Sequence, residues 1–232
     1  MLIARIRPIV LTFKGTVMQL TQSRGPRSQA EGERRSRADG ARSREAILRG
    51  ATELATLEGL EGLSIGGLAD HIGMSKSGLY AHFGSKEELQ LATIEKAQEI
   101  FDMEVARLAL EQPEGIARVL GMSDAYLSYL GRRVFPGGCF FAAAGAEFAT
   151  REGRVRQKLQ EFAAEGMRAL ADTIRSAQER GEIDAAADAD QLAFEIDALL
   201  HGANAGFLIS GDREPLDRAS RAIRDRLGVR ET

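Results

Sequence analysis

From Ser43 to the C-terminus, apolar residues return every three or four positions, and glycine or proline interrupts the pattern at short intervals. That period lays one apolar stripe along each helix, and no period-two alternation between hairpin turns competes with it. Ile47, Leu48, Ala51, Leu54 and Ala55 mark a first helix, with Ser43 as its cap, Glu45 near the positive end of its dipole and Gly59 after its stop. A second, short segment follows Ser64, with Ile65, Leu68, Ala69 and Ile72 inward, and breaks at Gly73. A third runs from Ser75 through Leu79, Tyr80 and Phe83 to Gly84.

Ser85 and Glu88 have capping-box spacing, so the next helix has a defined start; its apolar face runs from Leu89 through Phe101 to Leu108, ahead of Pro113. Further helices are expected from Ile116 to about Pro136, from Phe140 to Phe148, and from Val155 up to Gly181. Asp188 with Gln191 introduces another, carrying Leu192 to Phe207. Pro215 suits the first turn of a last one, with Leu216, Ala219, Ile223 and Leu227. The fold class is all-α, with about nine helices. A three-helix domain is expected over 43–88 and a larger helical domain over 89–228.

Charge is unevenly spread. Residues 1–44 carry ten Arg/Lys against three Asp/Glu, a balance of +7, while 45–232 carry 21 against 31, a balance of −10. Residues 21–42 hold almost no large apolar side chains, and residues 1–42 read as a mobile basic arm, with a short apolar stretch at Ile9–Phe13 that Lys14 interrupts. That stretch is too short for a secretory signal, and Met18 is an alternative start. Cys139 has no second cysteine to pair with, which fits a reducing, cytoplasmic compartment. No run of eighteen apolar residues occurs, so no membrane partner is expected. Three histidines and one cysteine show no metal-ligand spacing, nucleophile motif or phosphate-binding glycine loop. No enzyme activity, catalytic residue, metal or cofactor is therefore expected.

Two short helices joined by a glycine-containing turn inside a trihelical unit form a helix-turn-helix. The major groove of DNA, roughly 12 Å wide, admits one α-helix, so a protruding third helix with small polar residues in front can reach base edges. Ser75, Lys76, Ser77 and Gly78 are those residues here. Lys76 can donate to guanine, and Gly78 removes bulk where backbone and groove meet. Tyr80 and His82 lie off the apolar face and can meet phosphates. Ser64 and Lys86 mark helix starts suited to phosphate, and Arg44 stands near the start of the first helix. Residues 38–88 are themselves net −3, so affinity must come from placement of charge, not its total.

The run from Leu63 to Leu89, with Leu-Tyr-x-His-Phe followed by Ser-Lys-Glu-x-Leu, resembles the DNA-binding domain of the TetR family of one-component transcriptional regulators. Glycine at 66 and 67 departs mildly from that pattern. The resemblance implies a homodimer on double-stranded DNA, a divergent helical ligand-binding domain, and release of a palindromic operator when a small molecule binds, most often relieving repression. An architectural DNA binder without a ligand response is the alternative.

Phe101, Tyr126, Tyr129, Phe140, Phe162, Met167 and His201 are candidates for lining an effector pocket, and few charges stand among them, which favours a largely apolar effector. The same aromatic residues also suit an ordinary core. Cys139 reads as a buried small side chain or as an oxidation sensor. Ala198, Gly202 and Gly206 recur every four residues and, with Ile223 in the last helix, are candidates for a four-helix dimer interface over 190–228; close packing within the chain is the competing reading.

Overall fold

A computed structural model describes residues 26–229, with side chains from Gly40 onward. Among these residues there are helices and no strand: α1 (Pro26–Glu58), α2 (Ile65–Ile72), α3 (Lys76–Phe83), α4 (Lys86–Phe101), α5 (Arg107–Leu110), α6 (Ile116–Gly131), α7 (Phe140–Phe148), α8 (Arg154–Glu179), α9 (Ala189–Ser210) and α10 (Glu214–Arg226). A π-helical turn, Asp102–Ala106, joins α4 to α5 end to end. Counting that run as one rod gives nine, the number the periodicity predicts. Two units divide the chain, Met1–Ala41 and Arg42–Thr232, and the hydrophobic core belongs to the second.

The first helix differs from expectation. It starts at Pro26, so Ser43 lies inside it and caps nothing. Residues 1–25 of the expected mobile arm lie outside the described residues; residues 26–42 are helical. The physical reason is that extending an existing helix costs far less than nucleating one, and Ala, Glu, Gln and Arg are good helix formers. The apolar period begins only at Ile47 because only there does the helix meet a core.

Local chemistry sets the other starts. Ser64 accepts the Gly67 N–H at 3.0 Å, Ser75 the Gly78 N–H at 3.2 Å, and Ser85 the Glu88 N–H at 3.1 Å. The capping box at Ser85 is half-formed, because the Glu88 carboxylate instead takes a hydrogen bond from Arg154 at 2.7 Å. Asp188 caps α9 through the N–H groups of Asp190 and Gln191. Gly73 ends α2 in the left-handed region (φ 69°), and its N–H returns to Ala69. That conformation, open to glycine at little cost, turns the chain sharply into α3.

Two apolar clusters form the interior. The first takes Ile47, Leu68, Leu79 and Phe83 from the head, Leu89 and Ile94 from α4, and continues through Tyr129, Phe140 and Val155 to Ala203 and Phe207. The second gathers Val119, Ile174, Leu192, Ile196 and Ile223 at the far end. α8 and α9 each run through both clusters and so tie them together. Lys96, buried in α4, is ion-paired with Glu45 of α1 and Glu99, and Arg224 of α10 forks onto Asp124 of α6 at 2.7 and 3.1 Å.

α9 is long and apolar enough, by length and composition, to cross a membrane, although it contains no run of eighteen apolar residues. It also carries Asp190, Glu195, Asp197 and His201, and it buries Leu192, Ala193, Ile196 and Phe207 against neighbouring helices.

Candidate functional site

α3 is only eight residues long, too short to persist alone. Leu79, wholly buried, and Phe83 moor its back to the head, leaving the opposite side in solvent. On that outer side stand Ser75, Lys76 and Ser77, with Tyr80 59% exposed. Ser75 and Ser77 hydroxyls lie 3.4 Å apart. Gly78 has a local reason: a Cβ there would stand 3.1 Å from the Ser75 hydroxyl that caps the helix. A Cβ at Gly66 would likewise lie 3.4 Å from the Lys76 ammonium, so the glycine that departs from the family pattern leaves room for the Lys76 side chain over α2. The front therefore offers two hydroxyls, one ammonium and one phenol on a rigid, capped rod. Those are donors and acceptors suited to base edges and phosphates.

Three expected DNA-binding residues stand elsewhere. The Lys86 ammonium is held by the Glu61 carbonyl and by its carboxylate at 3.0 Å. That bond holds the Glu61 carboxyl below its usual range, against the opposing effect of burial. Arg44 lies over the Phe83 ring, 4.8 Å from its centre, and donates to the His82 carbonyl at 3.4 Å. Arg44 and His82 both line a cleft of about 420 Å³ between the head and α8, with Glu88, Glu95, Arg154 and Lys158. The cleft mixes both signs of charge; the side chains of Lys86 and Arg44 have intrachain partners, whereas His82 gives only its carbonyl to Arg44 and its half-buried ring lies tilted against Phe83. The spacing of basic residues in the sequence carried no signal of those partners.

Contacts that sequence reading missed link head to body. The Glu147 carboxylate of α7 accepts the N–H groups of Leu60 (2.7 Å) and Glu61 (3.1 Å) in the α1–α2 connection. The Gly137 N–H donates to Thr56 Oγ1 at 3.1 Å. Arg154, at the start of α8, bridges Glu87 and Glu88.

In the body, Phe101, Tyr126, Tyr129, Phe140 and Phe162 do come together, joined by Phe135 and Phe141. Phe141 and Phe162 stack with centres 3.5 Å apart, and the remaining pairs are tilted or edge-on at 5.3 to 6.3 Å. Met167 does not belong to this group; it packs against the second apolar cluster. His201 does not either. It is exposed on α9, where its bond to Asp197 raises its pKa against the effect of burial. Cys139 is buried, with its N–H bonded to Asn204 at 3.0 Å. Burial pushes its thiol up, away from the thiolate that an oxidation sensor uses.

Of the dimer candidates, Ala198 and Gly202 are exposed, with open space where a Gly202 Cβ would stand. Gly206 is used within the chain: a Cβ there would meet Pro215 of α10 at 2.9 Å. Ile223 is wholly buried in its own protomer and presents no surface to a partner. Phe194, 61% exposed, and Ile209, 88% exposed, share the outer side of α9 with Ala198 and Gly202 and were not singled out from the sequence.

Known proteins match in the same order as these parts. The profile described as bacterial regulatory proteins, tetR family, covers residues 47–93, and that of the tetracyclin repressor-like C-terminal domain covers 115–223. A TetR transcriptional regulator from Chloroflexus aurantiacus is similar at 26% identity over 82% of this chain and 96% of that one, with a TM-score of 0.77. A TetR-family regulator from Cytophaga hutchinsonii is 20% identical over 82% and 96%, with a TM-score of 0.70. AibR, solved in complex with isovaleryl coenzyme A and operator DNA, is 20% identical over 81% and 99%, with a TM-score of 0.64. No curated protein sequence matches the chain. With both profiles aligned on a helix-turn-helix head and a helical body, the chain belongs to the TetR family of DNA-binding transcriptional regulators.

Proposed function

We propose that the protein is a cytoplasmic homodimeric repressor that leaves a palindromic operator when a largely apolar small molecule binds its body. The observation that carries this reading is the exposed front of α3, Ser75, Lys76, Ser77 and Tyr80, on a rod fixed by Leu79 and Phe83. Two such rods in a symmetric dimer would meet half-sites about 34–36 Å apart, or a multiple of that. Ser64, Gly78, His82, Lys86 and Arg44 support the rod from behind or beside it in this reading; a phosphate contact from Lys86 requires breaking its bond to Glu61 first. The structure of AibR with an acyl-coenzyme A and operator DNA is an instance of a related fold described with both kinds of partner.

The outer side of α9 supports the dimer. Phe194, Ala198, Gly202 and Ile209 fall at helical spacing on one exposed side, and an apolar stripe in water is favourably covered by a second copy. The open space at Gly202 permits close approach of two helices. Gly202→Leu fills that space. It is expected to shift the protein toward monomer in sedimentation and to weaken operator binding at least tenfold, a change of about 1.4 kcal/mol. A variant that stays dimeric with unchanged affinity removes this side of α9 from the interface.

Effector release is a coupling between two sites, typically 1–3 kcal/mol, and it is reciprocal: DNA must weaken effector binding by the same factor. Titrating effector with and without operator duplex tests it. A ligand that binds equally in both cases leaves an operator binder without a ligand response.

A further inference from the structure

We infer that the aromatic cluster recognises an uncharged aromatic molecule bearing a hydrogen-bond acceptor, such as an aryl ketone, through the phenol hydroxyls of Tyr126 and Tyr129. The inference rests on reading this cluster as the effector site. Both rings are buried, Tyr126 at 7% and Tyr129 at 1% exposure, and neither hydroxyl has a hydrogen-bond partner. Buried hydroxyls are ordinarily satisfied, and leaving one unpaired is costly. Here two stand together: the rings are 5.9 Å apart, and both hydroxyls stand beside the buried Cys139 thiol, whose sulfur is only a weak acceptor. Burial, then Cys139, raises both phenols above their ordinary range, so each remains an O–H donor.

The surroundings define the rest of the ligand. Phe101 meets Tyr129 edge-on at 5.9 Å and Phe162 edge-on at 5.4 Å, while Phe141 and Phe162, both half-buried, form the outer margin of the cluster. Aromatic rings add well to such edge and face contacts. The acids nearest the two phenols are already paired, Asp197 with His201 at 3.2 Å and Glu104 with Arg132 at 2.7 Å. A charged ligand of either sign would lose its hydration among phenyl rings. A second observation marks the place: immediately after Phe101 the helix widens into the π turn Asp102–Ala106, and such turns are frequent at functional sites.

The test uses the full chain without DNA and four probes of similar size: propiophenone, n-propylbenzene, phenylacetate and phenethylammonium. The chain has three tyrosines, so ring-labelled tyrosine gives three NMR signals, with exposed Tyr80 as internal reference. Propiophenone is expected to shift the Tyr126 and Tyr129 signals and to bind at least about tenfold more tightly than propylbenzene, as two hydroxyl bonds to a carbonyl imply. Both charged probes bind more weakly. The double variant Tyr126→Phe, Tyr129→Phe loses that tenfold preference while keeping its affinity for propylbenzene. Removing two unpaired hydroxyls also raises its melting temperature by about 2–4 °C; the single variants give the same direction if the double one fails to fold. No binding by any probe, equal binding of ketone and hydrocarbon, tighter binding of a charged probe, or a preference that survives in the phenylalanine variants overturns the inference. Ketone binding that leaves operator affinity unchanged contradicts the release reading alone.

Discussion

Leu79→Ala is expected to lower the unfolding free energy by about 2–5 kcal/mol, the range for truncating a buried leucine, and to abolish specific duplex binding. Leu79 is wholly buried on the back of an eight-residue helix whose front carries Ser75, Lys76, Ser77 and Tyr80. Propensity cannot hold so short a helix, and Gly78 lowers it further. The mooring is therefore apolar, and a cavity beneath α3 removes the rigidity that fixes the reading edge. Urea unfolding and a duplex titration at one salt concentration check both effects. Leu79→Met, which nearly conserves volume, should cost less than about 1.5 kcal/mol and keep binding. Retained specificity in Leu79→Ala would show that the front of α3 does not depend on its back.

Gly137→Ala is expected to cost about 1–3 kcal/mol or more by overpacking. A Cβ at Gly137 would lie 1.9 Å from the Thr56 carbonyl oxygen and 2.5 Å from its carbon, and backbone atoms cannot step aside as a side-chain end can. Thr56 lies near the end of α1, in the head, and Gly137 in the α6–α7 connection. Relief of the clash separates the two, lengthens the Gly137 bond to Thr56, and strains the nearby clamp in which Glu147 holds the N–H groups of Leu60 and Glu61. Thermal unfolding should show a fall of about 2–4 °C for each kcal/mol lost. Gly145→Ala, on α7 where nothing lies within 4 Å of the added carbon, is the control. It should hold or raise the melting temperature, because alanine is the better helix former by about 0.5–1 kcal/mol. An unchanged midpoint in Gly137→Ala would place that connection away from Thr56.

What the sequence made legible is local. Ser64, Ser75, Ser85 and Asp188 announce helix starts because the hydroxyl or carboxylate that caps a helix sits three residues or fewer from the N–H it accepts. The inward stripe of α3, Leu79 and Phe83, follows from spacing alone. What stayed hidden depends on partners far along the chain. The Glu147 bond to Leu60 spans 87 positions and the Lys86 bond to Glu61 spans 25, and nothing in the charge pattern distinguishes such a lysine from one left for phosphate. Periodicity also cannot tell an inward apolar stripe from one that faces another molecule. Ile223 therefore looked available and is buried, while Phe194 and Ile209 looked ordinary and stand in solvent. The early start of α1 was hidden because Pro26 to Arg42 shows no apolar period, although its residues favour helix.

The central claim is that the exposed edge of α3 reads a specific duplex. The direct measurement is to select bound sequences from random DNA and compare affinity for the selected duplex with that for random duplex near physiological salt, with native protein and with Lys76→Ala and Tyr80→Ala. The account predicts a palindromic selected site, a preference of about a thousandfold or more for it, and loss of affinity or relaxed sequence preference in the two variants, each with unchanged folding. Equal affinity for selected and random duplex, or variants at Lys76 and Tyr80 that bind as the native protein does, would contradict it.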